Sequence, residues 1–286
     1  MINKIPSIIS RDNLPESIKD QLSKITDKGK RRSHVRFIAA ALGSIPWVGG
    51  FLGALSAKDA EKEQGEINEL QQLWLQEHEE KVHKLAFTFF QILSRLETFG
   101  EEIQSRLESP QYLNLVRKGF RTWDQADTEE KRELIRKLLT SAGATKLCPD
   151  ELVRLFIDWI HKYHESHFKV IKEVYQNPRI TRGEIWENIY GAKPRENSAE
   201  ADLFRLLVDD LSQGRVIRQE RQTDGSGNFL KKQRKTSTKG SRTMTSAFEN
   251  SKRYVLTELG KQFVHYTMEE LVTRIDVPQN GVDINI

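Results

Sequence analysis

The sequence predicts a mainly α-helical protein, in which an N-terminal helical bundle precedes a smaller domain of short helices and one β-hairpin. Three observations lead to this prediction. Apolar residues recur at steps of three or four over residues 67–107, which is the spacing of one helix face. A charge-free apolar segment, residues 37–57, comes before them. Two short segments, residues 216–222 and 254–256, enclose a long polar segment and are predicted to pair as strands.

Composition limits the classes of function. A chain of 286 residues with 37% hydrophobic residues is long enough for two domains with cores of their own. The net charge of +4 excludes a polycation that coats nucleic acid with its whole surface, so any basic patch has to be local. The single cysteine, Cys148, excludes an intramolecular disulfide and is typical of a reducing compartment. We therefore predict a cytoplasmic protein.

Residues 1–36 form a polar lead-in, and the apolar segment 37–57 follows basic residues at its end. The segment is long enough to span a membrane, but residues that weaken a continuous helix interrupt it, namely Gly43, Pro46, Gly49, Gly50 and Gly53. We predict instead a buried helical hairpin with its turn near residues 46–50. The alternative is a membrane-acting effector that enters a bilayer through Phe37, Ile38, Leu42, Trp47, Val48, Phe51 and Leu52.

The helical bundle is predicted to occupy residues 37–148. Within it, residues 67–107 are expected to form one long helix, which two shorter helices at residues 111–122 and 128–141 cover. Asp127, followed three residues later by Glu130, has the pattern of a helix N-cap.

A connecting helix is predicted at residues 149–176. It carries His161, His164 and His167 at three-residue spacing, which resembles a metal-binding cluster. Three residues turn a helix by about 300°, so only adjacent histidines could share an ion, and the outer pair is about 120° apart. We expect no metal and no cofactor. Cys148 matches no nucleophile motif, and no enzymatic activity is predicted.

Two short helices and the hairpin are predicted to follow the connecting helix. Thr181 is expected to cap the first helix, and Asn197 with Glu200 the second. The second helix is expected to bury one apolar set, which comprises Leu203, Phe204, Leu207, Val208 and Leu211. After the two strands, Thr257 is expected to cap a final helix.

The stretch Arg-Tyr-Val-Leu-Thr-Glu-Leu-Gly at residues 253–260 resembles the second wing strand and closing helix of winged helix-turn-helix regulators of the MarR and PadR type. The resemblance is assigned to residues 168–272, which a tail, residues 273–286, follows. It implies a DNA-binding scaffold that is often dimeric. The predicted fold is thus a helical bundle joined to a winged helix-turn-helix domain. The same scaffold also docks proteins, and a fold alone does not fix a function.

Charge divides the functional hypotheses. The wing segment has no acidic residue from 225 to 248 and carries cations expected to contact phosphates, which are Lys231, Lys232, Arg234, Lys235, Lys239 and Arg242. Arg205, Arg218 and Arg221 are expected to lie near the DNA groove. The second short helix instead exposes four acids that repel phosphates, namely Glu200, Asp202, Asp209 and Asp210. In the alternative, these acids contact a basic protein.

The leading hypothesis is a non-enzymatic winged-helix protein that binds nucleic acid, as a bacterial-type regulator or a DNA-sensing component. Its helical region is expected to form a homo-oligomer, to bind a helical protein partner or to sense a signal. A protein-docking adaptor and a membrane-acting effector are the alternatives, and only the effector would associate with a membrane.

Overall fold

The computed structural model describes residues 31–51, 69–99, 102–145, 147–221, 226 and 246–269. The chain divides into two compact units. The first unit contains Met1–Ala126, Ile135–Arg154 and Glu269–Ile286, and the second contains Asp127–Leu134 and Leu155–Met268.

The described residues are mainly helical and include a small antiparallel sheet. The helices are α1 (Arg31–Leu42), α2 (Glu69–Glu97), α3 (Glu102–Glu108), α4 (Pro110–Gln125), α5 (Glu129–Ala144), α6 (Asp150–Lys162), α7 (Glu165–Gln176), α8 (Arg182–Tyr190), α9 (Ala199–Gln213) and α10 (Glu258–Thr267). The strands are β1 (Ile180–Thr181), β2 (Ile217–Gln219) and β3 (Arg253–Leu256).

The core of the first unit is built around Phe37 of α1. Its ring centroid lies 6.2 Å from that of Phe89, 6.3 Å from that of Tyr112 and 6.0 Å from that of Phe120. These aromatic pairs join α1 to α2 and α4, and each adds to the stability gained by burial alone. The Tyr112 hydroxyl donates a hydrogen bond to the backbone carbonyl of Leu139 at 2.9 Å, so α5 is tied to the same cluster.

The apolar segment turns slightly earlier than predicted. Helix α1 ends at Leu42 and residues 46–51 are helical again, so the turn lies at residues 43–45 and not at residues 46–50. Pro46 begins the second helical stretch, where its fixed φ is compatible with a helix and its missing N–H is not needed. Pro46 therefore starts a helix, although the glycine and proline content of the segment had suggested a turn at this position.

The residues of the membrane alternative are mostly enclosed by protein. Phe37, Ile38, Leu42, Val48 and Phe51 are all buried. Trp47 is half-buried, and its Nε1 donates a hydrogen bond to Asp124 at 2.7 Å. Leu52 lies outside the described residues. Among the helices that the structure describes, none has the length and apolar character needed to cross a membrane.

The prediction of one helix over residues 67–107 is wrong, because α2 ends at Glu97 and α3 begins at Glu102. The backbone N–H groups of Thr98 and Phe99 bond to carbonyls three residues earlier, at 3.2 Å and 3.1 Å. Such bonds tighten the last turn and end a helix. The apolar positions resume after the break in the same phase, so the periodicity did not reveal it.

The connecting helix is also interrupted, because α6 ends at Lys162 and α7 begins at Glu165. His164 has an extended backbone conformation and is the N-cap of α7. The three histidines therefore do not share one helix, and the angle between His161 and His167 is not set by rotation along a single helix. In the second unit, the ring of Phe263 on α10 lies 5.5 Å from those of Phe156 and Trp159 on α6.

Several helices begin at polar caps that the sequence located to within one residue. The Thr181 hydroxyl accepts from the backbone N–H of Glu184, and the Thr257 hydroxyl accepts from that of Gly260, as predicted. The cap of α5 is Thr128 and not Asp127, whose carboxylate instead lies 3.0 Å from the Lys131 ammonium. Likewise Ser198, and not Asn197, caps α9.

The sheet has the strand order β1-β3-β2, and both pairings are antiparallel. Ile217 of β2 pairs with Leu256 of β3, so the two predicted strands do pair with each other. Strand β1 was missed because two residues are too few to show a period. Its Ile180 pairs with Tyr254.

Candidate docking surface on helix α9

Helix α9 is held in the second unit by one apolar face. The Ser198 hydroxyl accepts a hydrogen bond from the backbone N–H of Ala201 at 3.2 Å and thereby starts the helix. The buried residues of α9 are Ala201, Phe204, Leu207, Val208 and Leu211. Their spacing of three and four residues places them on one side, which leaves the opposite side to solvent.

Two large apolar side chains lie on the solvent side. Leu203 is 52% exposed and Leu206 is 55% exposed. The prediction that Leu203 points inward is therefore wrong. Residues two apart on a helix differ by about 200°, so Leu206 faces away from Phe204 and Val208 on either side of it. Leu203 and Leu206 are three residues apart and form one exposed apolar pair.

Carboxylates flank this leucine pair. Glu200 precedes Leu203 by three residues and Asp202 precedes Leu206 by four, so each acid neighbours a leucine on the helix surface. Hydrogen bonds from the backbone N–H of Glu200 and from Ser198 lower the pKa of the Glu200 carboxyl, which keeps it ionised at neutral pH. We call Glu200, Asp202, Leu203 and Leu206 the α9 outer face.

The other two predicted acids take part in contacts within the second unit. An Arg182 guanidinium nitrogen lies 2.8 Å from the Asp209 carboxylate, and that arginine side chain is only 11% exposed. The Asp210 carboxylate lies 3.6 Å from Nε2 of the buried His167. Asp209 and Asp210 thus connect α9 to α8 and α7. Substituting them would therefore disturb the fold as well as the binding of any partner.

Arg205, which was predicted to lie near DNA, is engaged in a local network. Its side chain is 16% exposed and pairs with the carboxylates of Glu196 and Asp202. Glu196 also accepts hydrogen bonds from the backbone N–H of Ala247, at 2.9 Å, and from the Ser246 hydroxyl. The latter bond contributes most to lowering the pKa of Glu196. Arg205 is the only basic residue of α9, so the outer face has a negative charge.

The remaining predicted cations do not join this site in the described part of the chain. Arg218 and Arg221 both line a cavity of about 430 Å³, together with Tyr175, Val255 and Lys261, and Arg205 is not among its lining residues. Lys231, Lys232, Arg234, Lys235, Lys239 and Arg242 all lie outside the described residues.

His164 and His167 have roles within the fold. The backbone N–H of His164 donates to Nδ1 of His167 at 3.1 Å, which occupies one of the two nitrogens that could hold a metal. Burial lowers the pKa of His167, against the opposing effect of Asp210. His161 is exposed in the last turn of α6. No group of three potential metal ligands occurs in the ranges that the structure describes.

The acids of α9 were predicted from the sequence, but the exposed leucine pair beside them was not. The signal was present, because Phe204, Leu207, Val208 and Leu211 alone define a complete helix face. When Leu203 is added, the predicted apolar face becomes wider than the face that α9 buries. Comparison with known proteins gives no further guide, since no family model, curated protein or solved structure matches the chain.

Proposed function

We propose that the second unit is a winged helix-turn-helix domain that docks a protein partner through the α9 outer face, and that the protein acts as a non-enzymatic adaptor. The order of elements supports the fold assignment. Helix α7 is followed by β1, two short helices, the β2–β3 hairpin and α10. In DNA-binding proteins of this kind, the second helix of the helix-turn-helix pair, here α9, enters the major groove.

The exposed leucine pair carries the functional proposal. Fully burying an exposed leucine side chain contributes about 1.5–3 kcal/mol. Because Leu203 and Leu206 are each about half covered already, a partner that covers both gains about 1.5–3 kcal/mol in total from apolar contact. Leucine gives no attraction to phosphate, and the flanking carboxylates oppose it. The surface fits a partner segment with apolar side chains between basic ones, because opposite charges around an apolar centre give both affinity and orientation.

DNA binding is the second candidate, and the observation that favours it is the wing segment. Residues 225–248 contain six cations and no acid, which suits contacts with phosphates but not the recognition of base sequence. In this candidate the wing binds the DNA backbone, and α9 makes no base contacts. The salt dependence of binding would then be steep.

The test compares two leucine variants of the full chain. The double variant Leu203→Ser with Leu206→Ser removes the apolar pair, and Leu147→Ser is the matched control, because Leu147 is 67% exposed but lies in the first unit. Proteins are captured from nuclease-treated lysate and identified, and each identified partner is purified and titrated against the variants. We expect one basic partner whose affinity falls about tenfold or more in the double variant alone.

Unchanged affinity in a double variant with a wild-type thermal melt would rule out docking by this face. A parallel titration with duplex DNA at two salt concentrations tests the second candidate. Salt-sensitive DNA binding that is lost on replacing Lys231, Lys232, Arg234 and Lys235 by glutamine, with no protein partner recovered, would establish DNA binding in place of docking.

A further inference from the structure

A polar cavity of about 360 Å³ lies between α2 and α5 in the first unit. Helix α2 contributes Ser94 and Arg95 to its lining, and α5 contributes Arg136, Lys137 and Thr140. Glu269 also lines it. We call this cavity the α2–α5 pocket. Its volume is in the range of sites that hold small molecules.

The lining has an excess of positive charge. Among the described residues that line the pocket, Arg95, Arg136 and Lys137 are basic and Glu269 alone is acidic, so three positive charges and one negative charge leave +2. All four residues are half-buried. Water screens charges less well in such a position, so an anion in the pocket is attracted more strongly by these basic groups than it would be at a fully exposed site.

The basic groups also have suitable geometry for phosphate. Guanidinium groups form paired, parallel hydrogen bonds to phosphate oxygens, which an ammonium group cannot do. The Arg95 guanidinium carbon lies 5.7 Å from the centroid of the Phe99 ring, a cation–π contact that limits the directions in which this side chain can point. A cation that is already oriented loses less conformational entropy when it binds an anion.

Hydroxyl groups line the same pocket and further limit the kind of ligand that it can bind. The Thr140 hydroxyl donates to the carbonyl of Arg136 at 2.8 Å, and the Ser94 hydroxyl donates to that of Gln91 at 3.3 Å. Because their protons are used within the helices, these oxygens face a ligand mainly as hydrogen-bond acceptors. They suit a molecule that carries hydroxyl donors as well as negative charge.

We propose that the α2–α5 pocket binds a small phosphorylated molecule that also carries hydroxyl groups, such as a sugar phosphate or a nucleotide. The phosphate lies against Arg95, Arg136 and Lys137, and the hydroxyl groups of the ligand donate to the serine and threonine oxygens. The first unit then has a ligand-binding role that goes beyond protein docking by α9.

The test titrates the full chain with ribose 5-phosphate, glucose 6-phosphate and AMP by isothermal calorimetry. Ribose lacks the phosphate, and inorganic phosphate lacks the ribose hydroxyl groups. We expect saturable binding of at least one phosphorylated probe, weaker binding of inorganic phosphate and none of ribose. Arg136→Gln should lower the affinity for that probe about tenfold, since a hydrogen bond to a charged group is lost.

Two further variants make the result specific. Glu269→Gln removes the opposing carboxylate, so it should tighten binding several-fold, an effect that misfolding cannot imitate. Lys84→Gln is the matched control, because Lys84 is an exposed cation on α2, eleven residues or about 16 Å before Arg95. The proposal is overturned if no phosphorylated probe binds at millimolar concentration, if inorganic phosphate binds as tightly, or if Arg136→Gln binds like wild type.

Discussion

The backbone N–H of His164 donates to Nδ1 of His167 at 3.1 Å, and this bond forms where α6 ends and α7 begins. Since Nδ1 accepts, the proton of the neutral imidazole is on Nε2, which faces the Asp210 carboxylate at 3.6 Å. The ring of Tyr163 stacks on the imidazole, with centroids 4.9 Å apart. One buried imidazole thus connects three parts of the second unit.

This arrangement predicts that stability declines in mild acid. Burial lowers the pKa of His167 below its usual 6.5, although Asp210 opposes the shift. The unfolded chain therefore takes up the proton first, and the free energy of unfolding falls as the pH drops from 6.5 towards the lowered pKa. Above that window both states are neutral at this residue and the effect is absent.

Denaturant titrations of wild type and His167→Gln at pH 7.5 and pH 5.5 measure the effect. The variant should lose less stability between the two pH values than wild type. His161→Gln, at an exposed position on α6, is the control and should behave like wild type. An equal pH response in wild type and His167→Gln would contradict the assignment.

Gly260 is predicted to tolerate no side chain. A Cβ atom at this position would lie 2.1 Å from the backbone carbonyl oxygen of Val216, which cannot move freely because it accepts the N–H of Thr257 at 3.0 Å. We expect Gly260→Ala to lower the free energy of unfolding by about 1–3 kcal/mol. Gly49→Ala, where nothing lies within 4 Å, should be neutral or stabilising in the same chemical denaturation.

Arg106 and Asp150 form an ion pair in the first unit that should matter for stability. The Arg106 side chain is 11% exposed, donates from Nη1 to Asp150 at 3.0 Å and donates from Nε to the carbonyl of Ala142 at 3.2 Å. Asp150→Ala leaves that guanidinium largely buried without its carboxylate, so we expect a loss of about 2–4 kcal/mol. Glu151→Gln, on the adjacent exposed acid, should change the urea midpoint little. Similar losses in both variants would mean that the charge at the start of α6 matters more than the pair.

Phe37 should contribute more to stability than any exposed phenylalanine. Phe37→Ala removes a fully buried ring from an aromatic cluster and should cost about 3–5 kcal/mol. Phe87→Ala on α2 is the control, because Phe87 is 57% exposed and its loss should cost under about 1 kcal/mol. Thermal melts compare the two.

Wild type should also fail to bind liposomes while folded, since membrane entry would require the apolar segment to leave this core.

The sequence predicted α8, α9 and α10 because each of these helices has a polar cap at its start and apolar residues at helical spacing. It placed Thr181 and Thr257 correctly, since a hydroxyl before an apolar periodic run has few other uses. The breaks at Thr98 and His164 were not predictable in the same way. There the apolar positions continue in phase across the break, so the pattern of a single helix and that of two helices are identical.

The sites were less predictable than the fold. The four acids of α9 could be named from the sequence. Only the packing shows that two of them contact Arg182 and His167, whereas the other two belong to the outer face. The α2–α5 pocket is a stronger case. Arg95 and Arg136 are far apart in the chain, and only the packing of α2 against α5 shows that they line one cavity.

The contacts of Glu196 have a consequence for protein engineering. The Glu196 carboxylate, which lies just before α9, accepts a hydrogen bond from the backbone N–H of Ala247. Gln219 of β2 pairs with Tyr254 of β3, so the chain is anchored both before and after the segment that connects the two strands. The points at which the intervening chain leaves and returns are therefore fixed independently of its length. Because each doubling of the length of a closed loop costs only about 0.6 kcal/mol, an affinity tag no longer than the segment between Glu220 and Ser246, inserted near residue 226, should lower the free energy of unfolding by at most about 0.6 kcal/mol.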